Sequence, residues 1–277
     1  MSNTSGKETV TYWDYLRTEE LFSLQMPRTQ AHDEMQFIVV HQVFELWFRL
    51  AIYELKGALA ALEAGRLQRA AHLVRRVASV LRTSHQGFDP LMTMTHDGYM
   101  EFRDDLAPAS GFQSAQFRII EILLGIERQM EGEDGRFYWE KAVQTGETFV
   151  TFMKRYHADL LAIHDEWAER NLRRSMLRLT EQATGLSGVD AYRHLLLHGD
   201  DYPELHALAE SALDIQQAML DFRLSHHKVT VFTVGEHAVG TSDSHTDPAP
   251  SCASYLMGVI RDRSTIFPEL DAATTQR

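Results

Sequence analysis

The chain has 277 residues, 44% hydrophobic and 24% charged, which suits one large globular domain or two small ones with a sizeable core. Its 39 acidic against 27 basic residues give a net charge of −12, which argues against a general nucleic-acid binder, because that needs a basic face or stripe. One cysteine, Cys252, excludes an internal disulfide, a thiolate cluster and a CxxC redox motif, so any metal chemistry rests on histidine, carboxylates or a carried cofactor.

Residues 1–10 are polar and lack the apolar stretch of a secretory signal. No run of 18 uncharged apolar residues occurs, so no membrane-spanning helix and a cytoplasmic location are expected. Residues 12–25 have helical spacing in Tyr12, Tyr15, Leu16 and Leu21, with Pro27 as a stop. An aromatic piece of this kind, cut off by MPRTQ, has to dock on its own core or on a neighbouring subunit.

Residues 32–62 carry the clearest pattern. Phe37, Phe44, Phe48, Ala51, Leu55, Leu59 and Leu62 form an apolar stripe at helical period, and His41 sits inside it. Gly65 then breaks the chain, and a second helix over 66–86 returns with Leu67, Ala70, Val74, Val77 and Leu81 on one face. Short links between long helices imply antiparallel neighbours in a bundle. Residues 88–98 read as irregular, with Asp89-Pro90 as a turn signal, and 99–106 as a short helix ended by Pro108.

An apolar helix follows in ASGFQSAQFRIIEILLG, with Phe112, Phe117, Ile120, Leu123 and Leu124. Residues 131–136 read as an insertion-tolerant loop and 137–179 as helical. Gly185 to Gly188 is a break, and Tyr202-Pro203 opens a last long helix running to about Val234. Residues 235–251 have loop composition, and 254–263 make a final short helix before FPEL. There is no repeat, no useful period-2 strand and no Gly-rich phosphate loop. The pattern predicts a single all-α domain over 1–277.

Three sites stand out. His41 on its apolar stripe is either a satisfied core histidine or a ligand-facing imidazole. On the last long helix, one stripe runs Leu208, Ala212, Ile215, Met219, Phe222, His226, and its neighbour runs Leu220, Leu224, His227, Val231, Val234. Periodicity does not choose between His226 and His227. No H-E-x-x-H, flanking carboxylate or third clustered histidine accompanies them, so a protein-only zinc site is not expected. A haem needs only one axial histidine, with the other face open for oxygen. Tyr99 and Arg103 share a helical face, and Arg103 is either a surface partner of Asp104 or Asp105 or a guanidinium fork for a carboxylate. Ser110-Gly111 nearby could add a hydroxyl and a close backbone approach. The arginine pairs Arg75-Arg76 and Arg173-Arg174 read as solvated faces. Nucleophilic catalysis has little support, with no G-x-S-x-G and one thiol.

The runs HDEMQFIVVHQVFELWF and YMEFRDDLAPASGFQSAQFRIIEILLG, with YWDYL near the start and FPEL near the end, resemble the tryptophan 2,3-dioxygenase family. The resemblance spans 12–270 and implies a helical bundle enclosing a b-type haem, with O2 as co-substrate and an indole amino acid as substrate. It matches His41 to a distal histidine near the indole nitrogen, Phe37 to the aromatic wall and Tyr99 to a pocket tyrosine. Arg103 matches the arginine that holds the substrate carboxylate, while Leu106, Ser110 and Gly111 match residues lining the pocket. The spacing of fourteen residues before Thr241 selects His227 as the iron ligand, and Thr241 is matched to the substrate's amino-acid end. Tyr12, Tyr15 and Leu16 match an N-terminal segment (1–25) that completes a neighbour's site, which implies a homo-oligomer, dimer or tetramer, with shared active sites.

Two departures bear on chemistry. The family's GTGGSSG loop reads GTSDSHT here, within a substrate-side lid over 235–253, and Trp13 and Asp14 replace small residues. Ring opening to N-formylkynurenine is the expected reaction. A single-oxygen insertion giving an oxindole or hydroxylated product is the alternative that the changed lid suggests. A haem-based gas sensor ranks behind both, because it has no use for a carboxylate clamp, and a cofactor-free helical scaffold ranks below that.

Overall fold

The computed structural model describes residues 10–107, 109, 114–126, 162–238 and 251–275. Among these every regular element is a helix. Two long helices, α3 (His32–Glu63) and α10 (Pro203–Thr233), form the frame with α4 (Leu67–Gln86) packed between them. The stripe expected on α3 is the buried one, with Phe44, Phe48, Ala51, Leu55, Leu59 and Leu62 in the core and Phe37 packed at its edge. On α4 the expected face likewise supplies Ala70, Val74, Val77 and Leu81 to the core. Pro203 sits in the first turn of α10, where its missing N–H leaves no helical hydrogen bond unmade.

Shorter helices close the bundle. α5 (Phe88–Leu91) and α6 (His96–Arg103) cross the end of α3, and α7 (Ala115–Leu124) runs along it. α8 (Leu172–Thr184), α9 (Gly188–Leu197), α11 (Cys252–Arg263) and α12 (Pro268–Thr275) complete the chain. Ser114 caps α7 by accepting the Phe117 N–H, and Gly125 ends it at φ 101°. A side chain at Gly125 would also meet Asn171 Oδ1 at 2.6 Å, so both conformation and space demand glycine there.

Several expectations change. The N-terminal piece is two short helices, α1 (Tyr12–Leu16) and α2 (Thr18–Phe22), broken where Arg17 takes a left-handed φ of 52°. Its N–H caps the Trp13 carbonyl while its side chain pairs with Glu20, so local bonds offset the strain. Residues 88–91 form α5 rather than an irregular segment, since proline is tolerated within a first turn. The helix expected over 137–179 is interrupted in its described part, where Asn171 caps a new start at Leu172. Residues 131–136 and 137–161 lie outside the described residues. FPEL opens α12, which sequence reading left unassigned.

The expectation that no segment could span a membrane also needs correcting, because α3 is long and apolar enough by length and composition. Its setting is that of a core helix. One face packs on α4 and α7, and it buries two carboxylates with partners. Glu34 accepts the Arg28 and Thr29 backbone N–H groups at 2.7 and 2.8 Å, and Glu54 pairs with Arg76 at 2.9 Å.

Candidate functional site

The aromatic end of the bundle gathers side chains from α3, α5, α6 and α10. Phe37 and His41 lie one turn apart on α3, with ring centroids 4.1 Å apart. Phe37 also meets Tyr99 at 5.9 Å and Phe102 at 5.6 Å, both from α6. Deeper in, Phe44 contacts Phe88 at 4.7 Å and Phe222 at 5.6 Å, and His226 stacks on Phe88 at 5.6 Å with the planes 12° apart. His41 meets Phe44 edge-on at 5.9 Å, which joins the two groups into one wall.

The protonation of His41 follows from its neighbours. Its Nδ1 lies 2.8 Å from the Phe37 carbonyl oxygen, which can only accept, so Nδ1 carries the proton. Burial lowers the pKa, outweighing the opposing pull of that carbonyl and of Glu45. A neutral imidazole with Nδ1–H leaves Nε2 as a lone pair, suited to accept from an N–H donor.

Arg103 departs from the picture of a simple surface ion pair. Its side chain is 18% exposed, and its contact with the well-exposed Asp104 is a loose 3.6 Å. It also lies within hydrogen-bonding reach of the Tyr99 hydroxyl, whose pKa burial raises and Arg103 partly restores. Cys252, at the start of α11, borders the same pair; burial raises its thiol pKa against the pull of Arg103. The Cys252 N–H donates to the Ala238 carbonyl at 3.0 Å, so the two described ends of the 239–250 segment meet beside Arg103. Leu106 ends a single 3-10 turn after α6 and packs half-buried against the core.

On α10 the core-facing stripe is the one that ends on His226. Leu208, Ala212, Ile215 and Met219 are fully enclosed, whereas Leu224 on the adjacent stripe is 44% exposed. Burial first, then repulsion from His41, Arg118 and His227, pushes the His226 pKa down to about 4. His227 is half-buried and makes no hydrogen bond or ring contact among the described residues.

The structure thus brings Phe37, His41, Tyr99 and Arg103 together. It places Tyr12, Tyr15 and Leu16 elsewhere: α1 packs on α2, with these side chains 69%, 78% and 45% exposed. Ser110, Gly111 and Thr241 lie outside the described residues. Sequence reading did not single out Phe88, Phe102 or Phe222 as pocket wall. Their signal was an aromatic residue in each segment flanking the histidine stripes.

Among the described residues no group of three histidine, cysteine, aspartate or glutamate side chains could hold a metal ion. The donors present are single imidazoles at or next to an aromatic, apolar wall. That chemistry does not suit a bare ion, and it fits a flat macrocycle that brings its own four equatorial nitrogens and needs one axial base.

The family described as "Tryptophan 2,3-dioxygenase" matches residues 1–175. A protein named tryptophan 2,3-dioxygenase from Bacillus thuringiensis subsp. konkukian is 32% identical over 274 residues, covering 97% of this chain and 93% of that one. The chain belongs to the tryptophan 2,3-dioxygenase family. Proteins of the same name from Herpetosiphon aurantiacus and Caulobacter vibrioides are 32% and 30% identical, with 95% and 96% of this chain covered and 96% and 98% of theirs. These matches cover nearly the whole chain, and they make it a member of an enzyme family rather than a gas sensor or an inert scaffold.

Proposed function

We propose that the chain is a haem-dependent dioxygenase that opens the indole ring of L-tryptophan, or a close derivative, to the N-formylkynurenine product. The grouping of Phe37, His41, Tyr99 and Arg103 at one end of the bundle carries this reading. His227 would hold a ferrous haem, which when bound would supply the chemistry of dioxygen activation. The match to the family, in which the ligand stands fourteen residues before Thr241, favours His227 over His226, and the His227 ring is uncommitted whereas His226 is stacked on Phe88.

The chain's own residues then position the substrate. Phe37 offers its face to the indole ring, and His41 Nε2 accepts from the indole N–H, which would fix the orientation of the ring in the pocket. Arg103, backed by Tyr99, takes the carboxylate through two parallel N–H donors. The family match assigns Thr241 to the substrate's amino-acid end. Such positioning supplies a large share of the rate.

The relatives carry the dioxygenase name, and nothing in them favours the single-oxygen alternative. Reaction of reduced, haem-loaded protein with tryptophan and labelled dioxygen, read by mass spectrometry, tests the proposal. Two labelled atoms in one ring-opened product is the expected outcome. A product with one labelled atom overturns it.

The exposed apolar edge of α1 supports a homo-oligomer in which Tyr12, Tyr15 and Leu16 complete a neighbour's pocket, in the cytoplasm. Trp13, Phe22 and Met26 extend that edge, at 59%, 65% and 76% exposure. Deleting residues 1–20 should lower oligomer mass in light scattering and abolish activity together. A fully active monomer after the deletion would remove the shared-site reading.

A further inference from the structure

The geometry points to Arg223 as a positioning residue for the histidine pair of α10, acting through a buried junction of three helices. Arg223 lies one helical turn before His227, on the flank of the core-facing stripe. It is 3% exposed. Its Nη2 donates to Glu121 Oε1 of α7 at 2.8 Å, and its Nη1 donates to the backbone carbonyl of Arg263, the last residue of α11. One rigid guanidinium thus ties α10 to α7 through a carboxylate, and to α11 through a carbonyl left without a helical partner.

Glu121 is the hub. It is fully buried and also faces Arg118, one turn earlier on α7, and Arg263 Nη1 at 3.5 Å. Among the described residues this is the ion cluster in which every member is buried. Apolar side chains of similar volume would hold three helices together at no desolvation cost, so stability alone does not explain a buried ionic junction. What it adds is direction. Charge-assisted bonds fix the rotation of α10 about its axis, which apolar packing leaves softer.

The junction's place along α10 gives that rotation a purpose. Beyond Arg223 the next ties are His85 Nδ1 to Ser225 Oγ at 3.2 Å and His96 Nδ1 to the Thr233 carbonyl at 2.9 Å. His226 and His227 lie between these anchors. The junction also borders the aromatic wall, since Arg118 stands 5.5 Å from the Phe117 ring and Phe117 stacks on Phe222. Loss of Arg223 releases the strongest of the ties, and the two imidazoles turn with the helix.

The purpose assigned here rests on His227 as iron ligand, so the test has one readout that does not. Cofactor-free wild type, Arg223→Met, Arg223→Lys and Leu208→Ala are compared by ring 15N and 13C shifts of the assigned histidines. Leu208 is fully buried on the same helix, about 28 Å before His227 at the usual rise per residue, so its truncation destabilises the protein without touching the junction. The expected result is that Arg223→Met moves the His226 and His227 signals, Leu208→Ala at matched stability does not, and Arg223→Lys lies between. With haem loaded, Arg223→Met should release it faster, by up to about 10-fold, below the roughly 10–100-fold cost of removing a residue bonded directly to a ligand, and shift the ferrous iron–histidine stretching band. Equal histidine shifts in Arg223→Met and Leu208→Ala overturn the inference. Wild type that binds no haem overturns the proposed function instead, and leaves the shift comparison standing.

Discussion

α3 and α10 are 32 and 31 residues long, and both carry imidazoles to the same aromatic wall, yet they hold them by different means. His41 is fixed within its own turn, by the Phe37 carbonyl four residues back and the Phe37 ring beside it. The histidines of α10 sit between ties to other elements. Their direction depends on Arg223, Ser225 and Thr233 meeting partners on α7, α11, α4 and α6. The group proposed to set substrate orientation is thus fixed by sequence neighbours, and the groups proposed to carry the cofactor are fixed by tertiary structure.

The largest expected effect lies on α10. His227→Ala should abolish stoichiometric haem binding, read from the Soret band, while His226→Ala keeps it and loses the stack on Phe88. The reverse pattern would transfer the ligand role to His226, the residue on the core-facing stripe, and the comparison of the two helices would then rest on that side chain.

Next comes α3. His41→Ala should leave haem content unchanged and slow turnover by about 10–10³-fold, the range between lost orientation and lost proton handling. The product should stay ring-opened. A change of product with the rate intact would mean that His41 steers chemistry after oxygen has reacted.

Arg103→Lys is expected to be smaller, and to act on binding. A planar fork replaced by a point charge should weaken tryptophan affinity by about 1.5–3 kcal/mol, or roughly 10–100-fold, with haem spectra unaltered. Calorimetric titration of wild type and variant with equal affinity would take Arg103 out of the substrate site.

The same contrast explains what could be read from the sequence. α3 and α4 were legible because burial repeats at helical period, and the Phe37–His41 pair follows from that period alone. On α10 the period placed the stripe but left His226 and His227 open, because the choice depends on which elements pack alongside. The Glu121 junction was not foreseen, although Glu121 interrupts the apolar run RIIEILLG and Arg223 follows the core position Phe222. A charge on a core-facing stripe was the available signal, and its partner lies 102 residues away. The break at Arg17 was hidden for the opposite reason: a left-handed arginine depends on two local bonds too weak to leave a pattern.

The smallest effects are in pH, where the two regions separate cleanly. Burial holds the His41 pKa below its ordinary 6.5, so the folded protein takes up this proton later than the unfolded chain does. The stability linked to His41 is therefore fully present above pH 6.5 and is lost as pH falls through the folded value. Glu121 behaves likewise in a lower window. Burial alone would raise its carboxyl, but Arg118, Arg263 and Arg223 outweigh it and hold the group at about 2 against an ordinary 4.5, so its share is lost between those values. With the neutral Nε2 of His41 as the proposed acceptor for the indole N–H, the acid limb of kcat/KM should lie below pH 6.5 in wild type and vanish in His41→Ala. Denaturant unfolding across pH should show one decline below pH 6.5, shared by His41 and His226, and a second, below pH 4.5, that Glu121→Gln reduces. An acid limb at or above pH 6.5 that survives in His41→Ala would mean that another group titrates in catalysis, and the lone pair on α3 would lose its assigned task.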